Sequence, residues 1–206
     1  MKRSIYIILF CLTFGHSFAQ IIELGGEIGY GSTYLHENIV FKEFFGPNAI
    51  TDLGSGFHIA FNPKKTIIFI NSGIIYILKG DNNYSFNNIR VPLGIKIEPG
   101  RKAKFIVGGG IYLNYLFLPE GDVNIEFKKT KRDFQIGGYF DSGFKYQLLE
   151  NWNLFFLVQV NYDLSTLYME ENPHHDGSRS NSAIRSYDLS LRLGFSYLIP
   201  IKNESK

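Results

Sequence analysis

The chain has 206 residues, 21 basic against 19 acidic, with 16% aromatics (19 Phe, 13 Tyr, one Trp), 21 Gly and a single cysteine. This near balance gives no electrostatic case for nucleic-acid binding. The one cysteine, Cys11, lies in an N-terminal apolar run, so the chain beyond it has no disulfide, thiol catalysis or thiolate metal site.

Lys2 and Arg3 precede the apolar run 4–14, which is too short to span a bilayer as a helix. Ser17 and Ala19 put small residues at the −3 and −1 positions. Residues 1–19 are therefore expected to be a signal peptide, cleaved before Gln20, with 20–206 as the mature domain. No stop-transfer pattern follows, against an uncleaved anchor. Bulky Phe10 precedes Cys11 where a lipoprotein signal needs a small residue. Cleavage removes Lys2, Arg3 and Cys11. It leaves 19 basic against 19 acidic residues in a formally neutral chain long enough for one domain. The mean hydropathy of −0.05 reads as soluble, which is the known blind spot for membrane barrels, whose apolar residues occupy alternate positions only.

Period-2 alternation recurs down the chain. Over 22–30 one face reads Ile22, Leu24, Gly26, Ile28, Tyr30 and the other Glu23, Gly25, Glu27, Gly29. Over 53–61 Leu53, Phe57, Ile59 and Phe61 oppose Gly54, Gly56, His58 and Ala60. Residues 66–79 are apolar on both faces. Ile68, Ile70, Ile74, Tyr76 and Leu78 are placed outward because the other register carries Asn71 and Lys79. Ile89, Val91, Leu93, Ile95 and Ile97 oppose Arg90 and Lys96. Phe105, Val107, Ile111, Leu113 and Tyr115 form a fifth row. Phe134, Ile136, Phe140, Phe144 and Tyr146 oppose Asp133, Gln135, Asp141 and Lys145. Leu154, Phe156, Val158, Val160 and Tyr162 oppose Asn153, Gln159, Asn161 and Asp163. Last come Tyr187, Leu189, Leu191, Leu193, Phe195 and Tyr197 against Asp188, Ser190, Arg192 and Ser196. Each of the eight rows is about as long as a tilted membrane-crossing strand, roughly 9–11 residues or a little more.

Short turns are expected at 62–65, 98–101 and 149–152, and longer connections near 32–50, 80–87, 118–131 and 167–184. That alternation is the habit of outer-membrane barrels, with short periplasmic turns, longer extracellular loops and both termini periplasmic. The fold expected is all-β, a closed eight-stranded antiparallel transmembrane β-barrel in up-and-down order. The apolar rows are nearly free of charge, so they are assigned to lipid. Glu23, Glu27, Arg90, Lys96, Asp141, Lys145, Asp163 and Arg192 form a polar network inside. Tyr30, Tyr115 and Tyr187 at one end, and Phe61, Phe105, Trp152 and Tyr197 at the other, suit two interfacial girdles. A soluble lipocalin-like carrier is the alternative on the same strand count.

The segment Arg90-Val91-Pro92-Leu93-Gly94-Ile95-Lys96 resembles the "I-P-L-x-x-K" strand of the PorT-like outer-membrane β-barrel family. The Gly-rich strand 107–116 follows after a turn, as it does there. Gly73-Ile74-Ile75-Tyr76-Ile77-Leu78-Lys79-Gly80 resembles that family's "G-L-L-Y-x-x-K-G" strand end, and 134–146 and 190–197 resemble its later strands. The similarity covers nearly the whole mature chain, and its motifs report barrel positions rather than chemistry. It implies a Gram-negative outer-membrane location and, for some relatives, assistance to protein secretion. An envelope or secretion-machinery protein is then an implied partner. The polar tail beyond Ile199-Pro200 makes the usual terminal assembly signal imperfect. Pro92 cannot donate a ladder hydrogen bond, so a bulge is expected there.

Candidate chemistry concentrates in Glu170-Glu171-Asn172-Pro173-His174-His175-Asp176-Gly177-Ser178. A hydrolase could use a histidine as base and Ser178 as nucleophile, which is the lipid A or phospholipid hydrolase alternative. The same residues also make a solvated loop without regular structure, and no catalytic assignment is made. His174, His175 and Asp176 are weak candidates for a metal; no metal or cofactor is expected. His58 is read as a hydrogen-bonded interior histidine. The lumenal charges could line a proton path or narrow channel, against a satisfied structural network. Gly108-Gly109-Gly110 lies mid-strand and is not a phosphate loop. Lys128, Lys129, Lys131 and Arg132 are candidates for contact with lipopolysaccharide phosphates, with outer-membrane lipids as the other partner. Phe41, Phe44 and Phe45, with Tyr34, Leu35, Ile39 and Val40, are too apolar for an idle loop. They pack on the barrel mouth or meet a partner.

Overall fold

The computed structural model describes residues 19–36, 50–63, 66–80, 85–117, 134–165, 168–173 and 179–201. Every regular element among them is a strand: β1 (Ala19–His36), β2 (Ile50–Pro63), β3 (Ile68–Gly80), β4 (Ser85–Ile97), β5 (Ala103–Phe117), β6 (Phe134–Gln147), β7 (Trp152–Asp163), β8 (Tyr168–Pro173) and β9 (Arg179–Pro200). β1 to β7 pair in sequence, antiparallel throughout. β9 pairs with β7 on one side and with β1 on the other, which closes the wall. Eight strands thus form the barrel, and no edge is left to expose unpaired amides.

The register fixes its shape. Following partners round from Glu23 passes Ala60, Asn71, Gly94, Gly110, Tyr139, Asn161 and Asp188 and returns to β1 at Thr33, ten residues further on. This stagger is the shear that lets tilted strands close.

Alternation sorts the two faces. Along β4, Leu93 and Ile95 are 54% and 55% exposed on the outside, while Arg90 between the same rows is 3% exposed and points to the axis. The outward rows of β3, β5, β6, β7 and β9 are likewise aliphatic and aromatic, and Asn71, Asp141, Lys145, Asp163 and Arg192 are buried within. A chain made for water would carry these faces the other way round. Part of the lumen is apolar too: Ile106, Phe155 and Leu157 pack together there.

At one end the strands are joined by 64–67, 98–102 and 148–151; at the other lie the longer 37–49 and 118–133 together with the short 81–84. At the turn end, Asn62 closes the β2–β3 turn by accepting from Thr66 N (2.9 Å) and donating to Thr66 O (2.6 Å). Gly100, at φ +126°, makes the β4–β5 turn, a conformation open to glycine at little cost. At the opposite, loop end the strands run further than alternation suggests. β1 reaches His36, and β3 and β4 leave only 81–84 between them, so half of the expected long connection 80–87 is strand and the remainder is no longer than the turns at the other end. The segment 167–184 is also corrected. β8 pairs with the leading part of β9, from Tyr168↔Ile184 to Pro173↔Arg179, as a hairpin standing beyond the barrel.

Pro92 produces no bulge. The β3–β4 pairing stops after Ser72↔Leu93 and resumes at Ile75↔Arg90 in the same register, and Pro92 stays in register with Tyr112 on β5. One ladder donor is missing, but no residue is inserted. Ser72 Oγ donates to the Pro92 carbonyl at 2.8 Å, which satisfies that acceptor locally.

Candidate functional site

Inward positions of the eight strands meet in three polar layers. The turn-end layer is centred on Lys145 of β6. Its Nζ donates to both oxygens of Glu23 on β1, at 2.9 Å each, and to Glu98 Oε1 at 2.5 Å. His58 Nε2 lies 3.7 Å from Glu23 Oε1, and its ring meets Phe155 edge-on at 5.1 Å. The Phe69 ring lies under Lys145 Nζ, 5.4 Å from its centroid. Three charges and an imidazole so close can be buried only because each ion has a partner.

The middle layer is a relay of side-chain contacts across strands. Arg192 donates to Glu27 and, through Nη1, to Gln159 Oε1 at 3.1 Å. Gln159 Nε2 donates to Asp141 Oδ1 at 3.1 Å, and Lys96 Nζ stands 3.7 Å from Asp141 Oδ2. Asn71 Nδ2 donates to the Tyr139 hydroxyl at 3.0 Å.

The loop-end layer is the richest. Asp188 accepts from Lys79 Nζ on Oδ1 and from Arg90 Nη2 on Oδ2, both at 2.7 Å. Arg90 also donates from Nε to Asn114 Oδ1 at 2.9 Å and stacks over Tyr112, 4.3 Å from the ring centroid. The Tyr112 hydroxyl donates to Asp163 Oδ1 at 2.6 Å, and Ser186 donates to the other Asp163 oxygen. Thr33 lies between Asp52 and Asp188. Between this layer and the middle one is a cavity of about 30 Å³, bordered by Glu27, Asp52, Arg90, Gln159, Asn161 and Arg192. It has room for about two water molecules. Asn161, with no protein partner on either amide atom, would bind them.

Glycines make these layers fit. Space for Tyr112 exists over Gly137, for Tyr139 over Gly94, for Phe155 over Gly194 and for His58 over Gly25. In each case a Cβ on the glycine would collide with the facing ring.

All eight residues named for the inner polar network lie inside the barrel. Glu23 meets Lys145, Glu27 meets Arg192 and Lys96 meets Asp141, while Arg90 and Asp163 bond to residues outside that set. Asp52, Glu98, Thr33 and Tyr112 belong to the same network and were not singled out from sequence. Extending the β2 row by one residue would have found Asp52. Lys128, Lys129, Lys131, Arg132, Phe41, Phe44, Phe45, His174, His175, Asp176 and Ser178 lie outside the described residues. Among the described residues no group of three or more His, Cys, Asp or Glu side chains is arranged to hold a metal ion.

The inward charges, outward aliphatic rows and two sets of connections now stand beside known structures. The fold is that of a small outer-membrane β-barrel. Neisserial surface protein A matches 85% of this chain and 96% of its own, at 11% identity and a TM-score of 0.57. OprG from Pseudomonas aeruginosa covers 89% and 98%, at 11% identity and 0.52. The outer membrane enzyme PagL covers 86% and 99%, at 12% identity and 0.50. At such identities the likeness carries the fold alone. No family model matches the chain, so the PorT-like resemblance rests on its strand motifs. No curated protein matches it either.

Proposed function

We propose that this chain is an exported, non-enzymatic outer-membrane barrel. It acts as an anchored surface or secretion-associated component whose specificity lies in the connections at the loop end. The filled lumen carries this reading. Three layers of paired side chains occupy the axis, and the cavity between the middle and loop-end layers holds about two waters. A wall of that kind stabilises a membrane anchor and gives a solute no route of useful width. The resemblance to PorT-like barrels supports a role beside a secretion apparatus. Lys128, Lys129, Lys131 and Arg132 supply charge suited to lipopolysaccharide phosphates.

Cross-linking in native outer membranes, followed by mild-detergent purification of the mature chain, tests the proposal. A stoichiometric envelope-protein partner is the expected result. Recovery of the barrel alone, together with altered lipid A or phospholipid composition on deleting the chain, would instead make it an enzyme. For the non-enzymatic reading, replacing His174, His175 and Ser178 together leaves lipid A composition unchanged.

A further inference from the structure

Thr33 sits between two carboxylates. Its Oγ1 lies 2.5 Å from Asp52 Oδ2 and 2.7 Å from Asp188 Oδ1. A hydroxyl owns one hydrogen, so it donates to only one of them. The other contact then joins two lone pairs unless a second proton lies in it. The surroundings show which carboxylate carries that proton. Asp188 is already countered by Lys79 and Arg90. Asp52 has no ion pair among the described residues, and its Oδ1 has no hydrogen-bond partner. The layer's charge agrees: among the described residues Asp52, Asp163 and Asp188 stand against Lys79 and Arg90, one negative charge in excess. Asp163 differs: its two oxygens meet two separate hydroxyls, of Tyr112 and Ser186, each free to give its one hydrogen, so no second proton is required there.

We propose that the loop-end layer is a proton-binding site in which Asp52 is a neutral acid. Its Oδ2–H donates to Thr33 Oγ1, and the Thr33 hydrogen goes to ionised Asp188. Among the described residues the charged and titratable groups of this layer are Asp188 from β9, Lys79 from β3, Arg90 from β4, Tyr112 from β5 and Asp163 from β7, with the Glu27–Arg192 pair across the cavity. β6 contributes the neutral Gln135. With the proton in place the layer has no net charge, which removes the cost of an uncompensated buried ion. Asp52 also borders the cavity, so water there gives the proton a route of exchange.

Infrared spectroscopy of the refolded mature barrel in deuterated buffer tests this directly. At neutral pH the spectrum should contain the carbonyl stretch of a neutral carboxylic acid. The band should vanish in Asp52→Asn and persist in Asp163→Asn. The Asp52→Asn amide can donate to Thr33 as the acid does, so folding is expected to survive. Should that variant not fold, two further measurements decide. Carbon-13 aspartate in the unvaried chain must shift the band, and Thr33→Val must move it because the acid loses its acceptor. No such band at neutral pH, a band that survives Asp52→Asn, or a band unmoved by labelled aspartate would overturn the proposal.

Discussion

Lys145 is the residue on which most depends. One ammonium serves two buried carboxylates, Glu23 and Glu98, with all three side chains at most 4% exposed. Lys145→Met leaves both anions facing each other without a cation. Breaking a buried pair in this way costs about 3–5 kcal/mol. The loss should be read as a lower urea midpoint for the refolded barrel. Adding Glu23→Gln and Glu98→Gln to that variant should recover most of it, since no buried ion is then left unpaired. If the triple variant is no more stable than Lys145→Met, the layer is held by packing and not by charge. The sequence located Lys145 and Glu23 because they fall on inward rows. It missed Glu98, which sits in a Pro-Gly turn where alternation has ended. It gave no role to Tyr112, because an inward tyrosine among apolar outward neighbours looks like part of an unbroken apolar run.

At the level of strands, the outward rows fix the solvent and the glycines fix the fit. Leu93 lies mid-way along the outward row of β4 and Ile97 near its turn end. Leu93→Arg should destabilise the lipid-embedded barrel by about 2–4 kcal/mol, and Ile97→Arg by only about 0–1 kcal/mol, as depth in the bilayer dictates. Equal costs, measured by reversible urea unfolding from vesicles, would count against a membrane wall. Gly94→Ala tests the other device. Its new methyl would meet the Tyr139 hydroxyl and the Gly109 carbonyl, and overpacking of this sort costs typically about 1–3 kcal/mol. Strand existence, order and facing were legible because a barrel wall repeats with period two over every crossing. The ends were less so. The β8–β9 hairpin lies in a segment whose Asn-Pro and Asp-Gly steps announce a turn, while the largely polar residues flanking them carry no apolar row. Bonds between backbones need no such row. The regular register at Pro92 was also hidden, because a proline predicts a missing donor and says nothing of whether the partner strand slips.

For the molecule as a whole, closure and stagger put β1's start and β9's finish beside each other, with Ile21 paired to Pro200. The first strand therefore starts, and the last one finishes, on the side of the short turns, away from the β8–β9 hairpin. Export through a cleaved leader would place that side in the periplasm. Such cleavage would also remove Cys11, the one cysteine, leaving a background free of thiols in which single cysteines report sidedness. Arg101 stands exposed in the β4–β5 turn, and Leu164 stands exposed past the end of β7 at the opposite rim. A membrane-impermeant maleimide added to intact cells should label Leu164→Cys and spare Arg101→Cys until the outer membrane is opened. The same barrels in planar bilayers should pass no steady ionic current, because paired side chains of the three layers occupy the axis. Removing the Lys96–Asp141 and Arg192–Glu27 pairs together, as Lys96→Ala, Asp141→Ala, Arg192→Ala and Glu27→Ala, opens space in the middle layer and should admit current where the unvaried chain does not. Labelling of Arg101→Cys in intact cells would invert the orientation. Steady conductance in the unvaried barrel would show that the layers part, and the anchor would then have to be reconsidered as a channel.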